Sequence, residues 1–126
     1  MILEYAKVRQ SAISPERANP SDAGLDVFFS PETVISVVLN PGDSKILPTG
    51  LKFGVPHGYM LEVKNRSSVA AKRSLVVGAC IVDSGYAGEV FINLHNVGTK
   101  LQVLSAGDKI AQLVMTPVVH FRPLET

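Results

Sequence analysis

Short β-rich runs separated by turn residues occupy most of this chain of 126 residues. Glycine, proline, asparagine and aspartate interrupt these runs, as in Asn40-Pro41-Gly42-Asp43 and Ser105-Ala106-Gly107-Asp108, because such residues favour turns. Only residues 67–74 look helical, for about two turns, with a serine hydroxyl available as N-cap. The pattern predicts one all-β domain over residues 1–126, a barrel or sandwich with one short helix. We expect strands at 2–9, 27–29, 34–39, 44–48, 50–55, 59–64, 76–82, 90–94 and 109–122.

Charge and cysteine content narrow the class of protein. Twelve Lys and Arg nearly balance eleven Asp and Glu, so no basic patch tracks a nucleic-acid backbone. No apolar run reaches membrane-spanning length. One cysteine excludes an internal disulfide and favours a reducing cytoplasm, that of the host cell if the chain is viral. With 18% charged residues and a mean hydropathy of +0.24, we expect apolar surface to be buried in an oligomer.

Residues 76–94 place a carboxylate and an aromatic ring at the mouth of an apolar hairpin. The run from Val76 to Val82 meets Asp83, turns through a glycine-containing loop with Tyr86, and leaves as strand 90–94. This pattern is typical of a β-hairpin. Asp83 either closes the turn with its own side chain or is held at the mouth for chemistry. The residues of the hairpin alone leave both roles open.

The segment Arg66-Ser67-Ser68 directly precedes the predicted helix. A guanidinium and two hydroxyls beside the free N–H groups of a helix start favour an anion, above all phosphate. The alternative is a serine cap beside a surface arginine.

Two polar side chains stand within apolar strands. Gln112 needs hydrogen-bond partners if it is buried, and Asp26 lies next to Phe28 and Phe29. The alternatives are backbone pairing at a sheet edge for Gln112 and a turn role for Asp26.

Four ordered segments together resemble the first four of five motifs of the trimeric dUTPase family. They cover most of the chain, from residue 22 to about 118, and the third is the most specific. They are Ala-Gly-Leu-Asp (23–26), Asn-Arg-Ser-Ser-Val-Ala (65–70), Cys-Ile-Val-Asp-Ser-Gly-Tyr-Ala-Gly (80–88) and Gly-Asp-Lys-Ile-Ala-Gln-Leu (107–113). The resemblance implies a distorted jelly-roll (β-clip) protomer in a homotrimer with active sites at subunit interfaces. It also implies cleavage of dUTP to dUMP and pyrophosphate with Mg²⁺. This reaction limits the incorporation of uracil into DNA.

The resemblance also implies a role for each motif residue. Asp83 would be the general base that activates water for attack on the α-phosphorus, and Tyr86 would pack under the deoxyribose and exclude a 2′-hydroxyl. Asp26 would support Mg²⁺ through its water shell. The uracil edge would be read by backbone of Gly78, Cys80, Ile81 and Val82. The phosphate side would be served by Arg66, Ser67, Ser68 and Gln112.

The chain departs from the family pattern at three points. Cys80 replaces a usual glycine, and Val77 stands where many members carry asparagine. The fifth motif, a glycine-rich arm with an arginine and a phenylalanine, is not found in these residues. Phe121 and Arg122 instead look like the end of the last strand. We therefore expect an open site, covered at most by Cys80 or by loop 14–22 of an adjacent protomer.

Two other functions compete with dUTP hydrolysis. A dCTP deaminase shares the fold and an Arg-Ser-Ser motif, but Asn93 stands where that family carries its catalytic glutamate, and an amide cannot shuttle a proton. A non-catalytic trimer that binds nucleotide or a partner protein is the second. The joint presence of Asp83, Tyr86, Arg66 and Gln112 favours the enzyme.

Overall fold

The computed structural model describes residues 1–126 as eleven short strands and one helix. Ten of the eleven strands coincide with or overlap a predicted β-rich run. The strand Gln102–Ser105 lies where no strand is predicted from the sequence. No helix of the chain has the length and apolar character needed to cross a membrane. The elements are β1 Glu4–Lys7, β2 Leu25–Phe28, β3 Ser36–Leu39, β4 Ser44–Pro48, β5 Leu51–Gly54, β6 Tyr59–Lys64, α1 Ser67–Arg73, β7 Leu75–Val77, β8 Ile81–Val82, β9 Phe91–Asn96, β10 Gln102–Ser105 and β11 Lys109–Pro117.

The strands form four antiparallel sheets. The largest has the order β2-β11-β6-β8, and a second has the order β4-β9-β7. Two-stranded sheets, β1-β5 and β10-β3, complete the fold. The predicted all-β class with one short helix is confirmed.

The core collects the inward faces of all four sheets. Along β9, Ile92 and Leu94 are fully buried while Phe91 is exposed, which is the two-residue alternation of a strand with one face inside. Asn96 ends the strand inside the core, and its amide nitrogen donates to the carbonyls of Leu39 and Lys100, both at 2.9 Å. This buried amide is satisfied, so it joins β3 to β9 at little cost.

The predicted strand at 76–82 breaks after Val77, and its two parts belong to different sheets. β7 pairs with β9, whereas β8 pairs with β6. The Gly78 N–H still donates to the Asn93 carbonyl at 2.9 Å, but the next N–H, on Ala79, turns to the Asn93 side chain at 3.2 Å. The Asn93 side chain thus takes the place of a backbone acceptor for Ala79, and the backbone pairing between β7 and β9 ends there.

The last strand ends at Pro117 and not near residue 122. Pro117 faces Tyr59 as the final pair with β6, and proline has no N–H with which to extend a ladder. Beyond it, Val118 donates to the Gly58 carbonyl at 2.8 Å, and the ring of His120 stacks on His57 with centroids 4.6 Å apart. The prediction that Phe121 and Arg122 end the strand was wrong.

The start of α1 also differs from the prediction. Its N-cap is Arg66, in extended conformation, and no side chain caps the helix. The hydroxyls of Ser67 and Ser68 therefore do not serve as the cap that the sequence suggested. At the other end, Ser74 adopts the left-handed conformation and its N–H closes on Ala70.

A bidentate ion pair ties the N-terminal segment to the loop before β9. The Arg9 Nη1 and Nη2 atoms lie 2.8 and 2.9 Å from the two carboxylate oxygens of Glu89. Nη2 also donates to the Ser30 carbonyl at 2.7 Å, and the Gly50 N–H donates to Glu89 at 3.0 Å. Burial raises the pKa of Glu89, but the bonds from Arg9 and Gly50 outweigh it and hold this pKa below its ordinary 4.5.

Replacing Glu89 with glutamine should lower the free energy of unfolding at pH 7 by about 1.5–3 kcal/mol, since hydrogen bonds to a charged group are lost. A lowered folded pKa gives stability that is complete above the unfolded value and disappears as the pH falls through the folded value. The difference between wild type and Glu89→Gln should therefore shrink below pH 4.5. Urea unfolding at several pH values measures this. The exposed Glu125, changed to glutamine, should show no such difference, and a gap that stays constant to pH 3 would contradict the prediction.

Candidate functional site

Asp26, Arg66 and Lys109 form a charged cluster where β2, β6 and β11 meet. Asp26 is 7% exposed, with Oδ1 at 3.0 Å from Arg66 Nε and Oδ2 at 3.3 Å from Lys109 Nζ. The antiparallel register brings these residues together, because β11 lies between β2 and β6. Two cations surround one buried carboxylate, so the cluster keeps an excess of positive charge.

Gln112 links the same three segments. It lies opposite both Asp26 and Lys64 in the sheet, and its Nε2 donates to the Asn65 carbonyl at 2.9 Å. Its Oε1 lies against Gly24, where an added Cβ would stand only 2.4 Å away. Gln112 is half-buried, and its amide nitrogen has the partner that a buried group requires.

A polar cleft of about 420 Å³ opens beside this cluster. The Arg66 Nη1 atom points along it towards Ser68 Oγ, 3.4 Å away, and both serine hydroxyls are exposed. Guanidinium and hydroxyl donors in an open polar cleft suit an anion with several oxygens, such as phosphate. Part of loop 14–22 lines the cleft of its own protomer. The lining residues are Ala18, Asn19, Asp22, Asp26, Arg66, Ser67, Ser68 and Gln112.

Asp83 and Tyr86 form a second, exposed group at the hairpin mouth. The turn between them is closed by backbone, with the Tyr86 N–H donating to the Asp83 carbonyl at 3.0 Å. The Asp83 carboxylate makes no hydrogen bond or ion pair within the chain. Its side chain therefore does not form an Asx-turn, and both carboxylate oxygens are without a partner in the chain.

The backbone between β7 and β8 keeps unpaired polar groups. Cys80 is exposed and gives its carbonyl to the Val63 N–H at 2.7 Å. The Cys80 N–H and the carbonyls of Gly78 and Ala79 make no hydrogen bond within the chain. One donor and two acceptors thus stand at this edge, and they are fixed in direction because they belong to the backbone.

Asn93 supports this edge from β9. Its Oδ1 accepts from the Ala79 N–H at 3.2 Å and lies 3.1 Å from His95 Nε2. Its Nδ2 donates to Ser44 Oγ and to the Lys45 carbonyl, both at 3.3 Å. All of its bonds are structural, so the position where a deaminase carries its proton-shuttling glutamate is occupied by a scaffolding amide.

Replacing Gly78 with alanine should destabilise the chain by about 1–3 kcal/mol, as overpacking does. An added Cβ would stand 2.2 Å from Asn93 Oδ1 and 2.4 Å from His95 Nε2. Thermal unfolding measures the loss. Gly85, in the next loop along the chain, is the matched control, because its added Cβ meets nothing within 4 Å. Equal midpoints for Gly78→Ala and Gly85→Ala would contradict the close packing at Gly78.

The cleft and the hairpin mouth stay apart in a single chain. On β6, Leu61 pairs with Val82 of β8 on one side, and Lys64 pairs with Gln112 of β11 on the other side. These positions on β6 are three residues, or about 10 Å, apart, and Asp83 continues away from Lys64. Neither Asp83 nor Tyr86 lines the cleft. Each chain therefore carries two separate polar groups, the cleft and the hairpin mouth.

Comparison with known proteins assigns a family to this arrangement. The family model described as dUTPase matches residues 10–126. The chain belongs to the dUTPase family. A deoxyuridine 5′-triphosphate nucleotidohydrolase of Gloeobacter violaceus is 42% identical over 113 residues, covering 88% of this chain and 76% of the relative. That of Syntrophotalea carbinolica is 36% identical over 126 residues, covering 98% and 84%.

Solved structures of phage enzymes share the fold. The dUTPase of phage phi11 of S. aureus superimposes with a TM-score of 0.90 at 27% identity, covering all of this chain and 96% of that one. A mutant of it reveals the coordination of a structural Mg(II) ion. A mutant dUTPase of Staphylococcus bacteriophage 80alpha, solved with dUpNHpp, has a TM-score of 0.87 at 26% identity, covering 99% and 96%.

Sequence reasoning did not identify three members of these clusters. Lys109 lies in the fourth motif, but its ion pair with Asp26 is not apparent from the sequence. Arg9 and Glu89 pair across 80 positions of sequence, and no local pattern connects them. No three potential metal-ligating side chains come together.

Proposed function

We propose that this member of the dUTPase family hydrolyses dUTP to dUMP and pyrophosphate in the cytoplasm as a homotrimer. Each site would combine the cleft of one protomer with the hairpin mouth of a neighbour. The observation that supports this is the separation of the cleft from the hairpin mouth in one chain, and we call these two groups half-sites. The cleft offers groups for phosphate but no general base. The hairpin mouth offers a free carboxylate but no phosphate ligands, so a complete site would require both. The names of the relatives and the dUpNHpp complex of the 80alpha enzyme support the substrate.

The hairpin mouth would select the nucleoside. Uracil presents a donor between two acceptors. The Cys80 N–H would donate to one uracil carbonyl, and the Gly78 carbonyl would accept from the uracil N–H. Ile81 and Val82 would continue this edge beside the base. Tyr86 would lie under the deoxyribose, where its ring leaves no space for a 2′-hydroxyl. Backbone groups cannot rotate to suit another base, so selection would be strong.

The cleft would hold the triphosphate. Arg66 is kept in place by Asp26 through Nε, so its Nη atoms remain available to phosphate oxygens. Ser67, Ser68 and Gln112 would complete this set. Asp83, from the neighbouring protomer, would take a proton from the water that attacks the α-phosphorus, and pyrophosphate would leave in line.

The residues fit Mg²⁺ only as an ion carried by the triphosphate. Asp26 is the buried carboxylate of the cleft. Its Oδ1 accepts from Arg66, and its Oδ2 is ion-paired with Lys109, so direct coordination by Asp26 is unfavourable. It would instead accept hydrogen bonds from the water shell, which suits an ion that keeps its waters. When bound, Mg²⁺ would neutralise developing charge on the phosphates.

Release of dUMP and pyrophosphate from dUTP, followed directly by chromatography in Mg²⁺ and in EDTA, tests the proposal. We expect release in Mg²⁺ and its loss in EDTA. Tight binding of dUTP with no release would contradict the proposal and support the binding-only trimer.

A further inference from the structure

We propose that Arg9 is a positioning residue for sugar selection, because it holds Tyr86 in place through Glu89. The proposal rests on the proposed role of Tyr86 under the deoxyribose. Arg9 lies just outside the residues that the family model matches, which begin at residue 10.

The first step is the anchoring of Glu89. Its carboxylate accepts two bonds from Arg9 and one from the Gly50 N–H. The two side chains are 18% and 14% exposed, so water competes little for these bonds. Arg9 is itself fixed by its bond to the Ser30 carbonyl. Its planar fork fits the carboxylate in two places at once, which fixes direction as well as distance.

The second step is the dependence of Tyr86 on residues 88 and 89. The Tyr86 hydroxyl donates to the Glu89 carbonyl. Its ring lies on Gly88, where an added Cβ would stand 2.9 Å from the hydroxyl oxygen and 3.1 Å from Cζ. Tyr86 is 44% exposed, so no deep packing holds the ring. Its position is set by the backbone that Glu89 anchors.

The third step is the independence of β9 from Arg9. Val90 donates to the Leu51 carbonyl at 2.8 Å, and Thr49 Oγ1 donates to the Val90 carbonyl at 2.6 Å. These bonds keep the start of β9 in place without Arg9. The Glu89 carbonyl shares a planar peptide with the Val90 N–H and stays with the sheet. Loss of Arg9 should therefore loosen residues 83–88, where the Tyr86 ring lies on Gly88, and leave the sheet folded.

The consequence falls on selectivity because rejecting one hydroxyl requires a rigid ring. A displacement of about 1 Å in a positioning group is enough to change rates by up to 10²-fold. A looser Tyr86 admits the 2′-hydroxyl of UTP while dUTP still binds.

The test compares Arg9→Lys and Arg9→Met with Lys7→Met, which removes an exposed cation without an ion pair from the same segment. The measured quantity is the ratio of kcat/KM for dUTP to kcat/KM for UTP. We expect this ratio to fall about 10-fold or more in both Arg9 variants, with a smaller change in kcat on dUTP. Lys7→Met should keep the wild-type ratio. Circular dichroism identifies the folded variants, and Arg9→Lys retains the charge if Arg9→Met is too unstable.

A second readout does not depend on activity. Fluorotyrosine labelling gives three ¹⁹F resonances, one for each tyrosine, and Tyr86→Phe assigns one of them. That resonance should shift or broaden in the Arg9 variants and stay unchanged in Lys7→Met. Folded Arg9 variants with the wild-type ratio and an unshifted resonance would overturn the positioning role and leave the proposed function standing. A wild-type chain that turns over dUTP and UTP equally would overturn the role of Tyr86 and the inference with it.

Discussion

Replacing Asp83 with asparagine should lower the turnover of dUTP by about 10²–10⁴-fold, the usual contribution of a general base. The substitution keeps the shape of the side chain but removes its ability to accept a proton. The Asp83 carboxylate makes no hydrogen bond within the chain, so the amide should cost no stability. Nucleotide affinity should be largely kept, because the groups proposed to read base and phosphate are unchanged.

Single-turnover kinetics and calorimetric binding measure these two effects separately. Asp43→Asn is the matched control: this aspartate also lies in a turn, where its Oδ2 accepts from the Asn40 N–H at 2.8 Å, and it is outside both half-sites. It should keep wild-type turnover. Near-normal turnover of Asp83→Asn would remove Asp83 from the role of base.

The chain should prefer dUTP over dCTP by about 10⁴-fold or more in kcat/KM, as sites built on hydrogen bonds do. Cytosine places an amine and an unprotonated nitrogen where uracil presents a carbonyl and an N–H. The fixed backbone groups at Gly78 and Cys80 would then face like groups and stay unpaired, and each such pairing failure costs about 1–3 kcal/mol.

Steady-state kinetics on both nucleotides measures this preference, and binding to Asp83→Asn measures it without turnover. The ratio of the two dissociation constants should still favour dUTP in that variant, because the base readers are intact. Comparable kcat/KM values for dUTP and dCTP would contradict backbone reading of the base.

Much of the fold follows from local signals. Alternating runs and turn residues identify every strand region except β10, and the alanine-rich stretch after Arg66 identifies α1. Pro117 is a local signal for the end of β11, because proline cannot extend a strand ladder. The apolar residues Val118 and Val119 that follow it suggested a longer strand. The break after Val77 was not readable, since it depends on the Asn93 side chain, which reaches Ala79 from another strand.

The sequence predicts which residues belong to the two half-sites better than it predicts the contacts between them. The motifs identify Asp26, Arg66 and Gln112 as site residues. The ion pair between Asp26 and Arg66 spans 40 positions and arises from the order of the strands in the sheet. The Arg9–Glu89 pair spans 80. Such contacts come from tertiary packing, which no local pattern encodes.

Mixing two inactive variants tests most directly whether the half-sites of different protomers form one active site. Asp83→Asn lacks the base, and Arg66→Gln lacks the phosphate ligand while Lys109 still neutralises Asp26. Each should be folded, trimeric by sedimentation and nearly inactive alone. After joint unfolding and refolding in equal amounts, about a quarter of the sites should pair an intact Asp83 with an intact Arg66, since each site draws on two randomly assorted protomers. We predict recovery of about a quarter of wild-type dUTP turnover, and a mixed trimer as inactive as its parents would contradict the shared site.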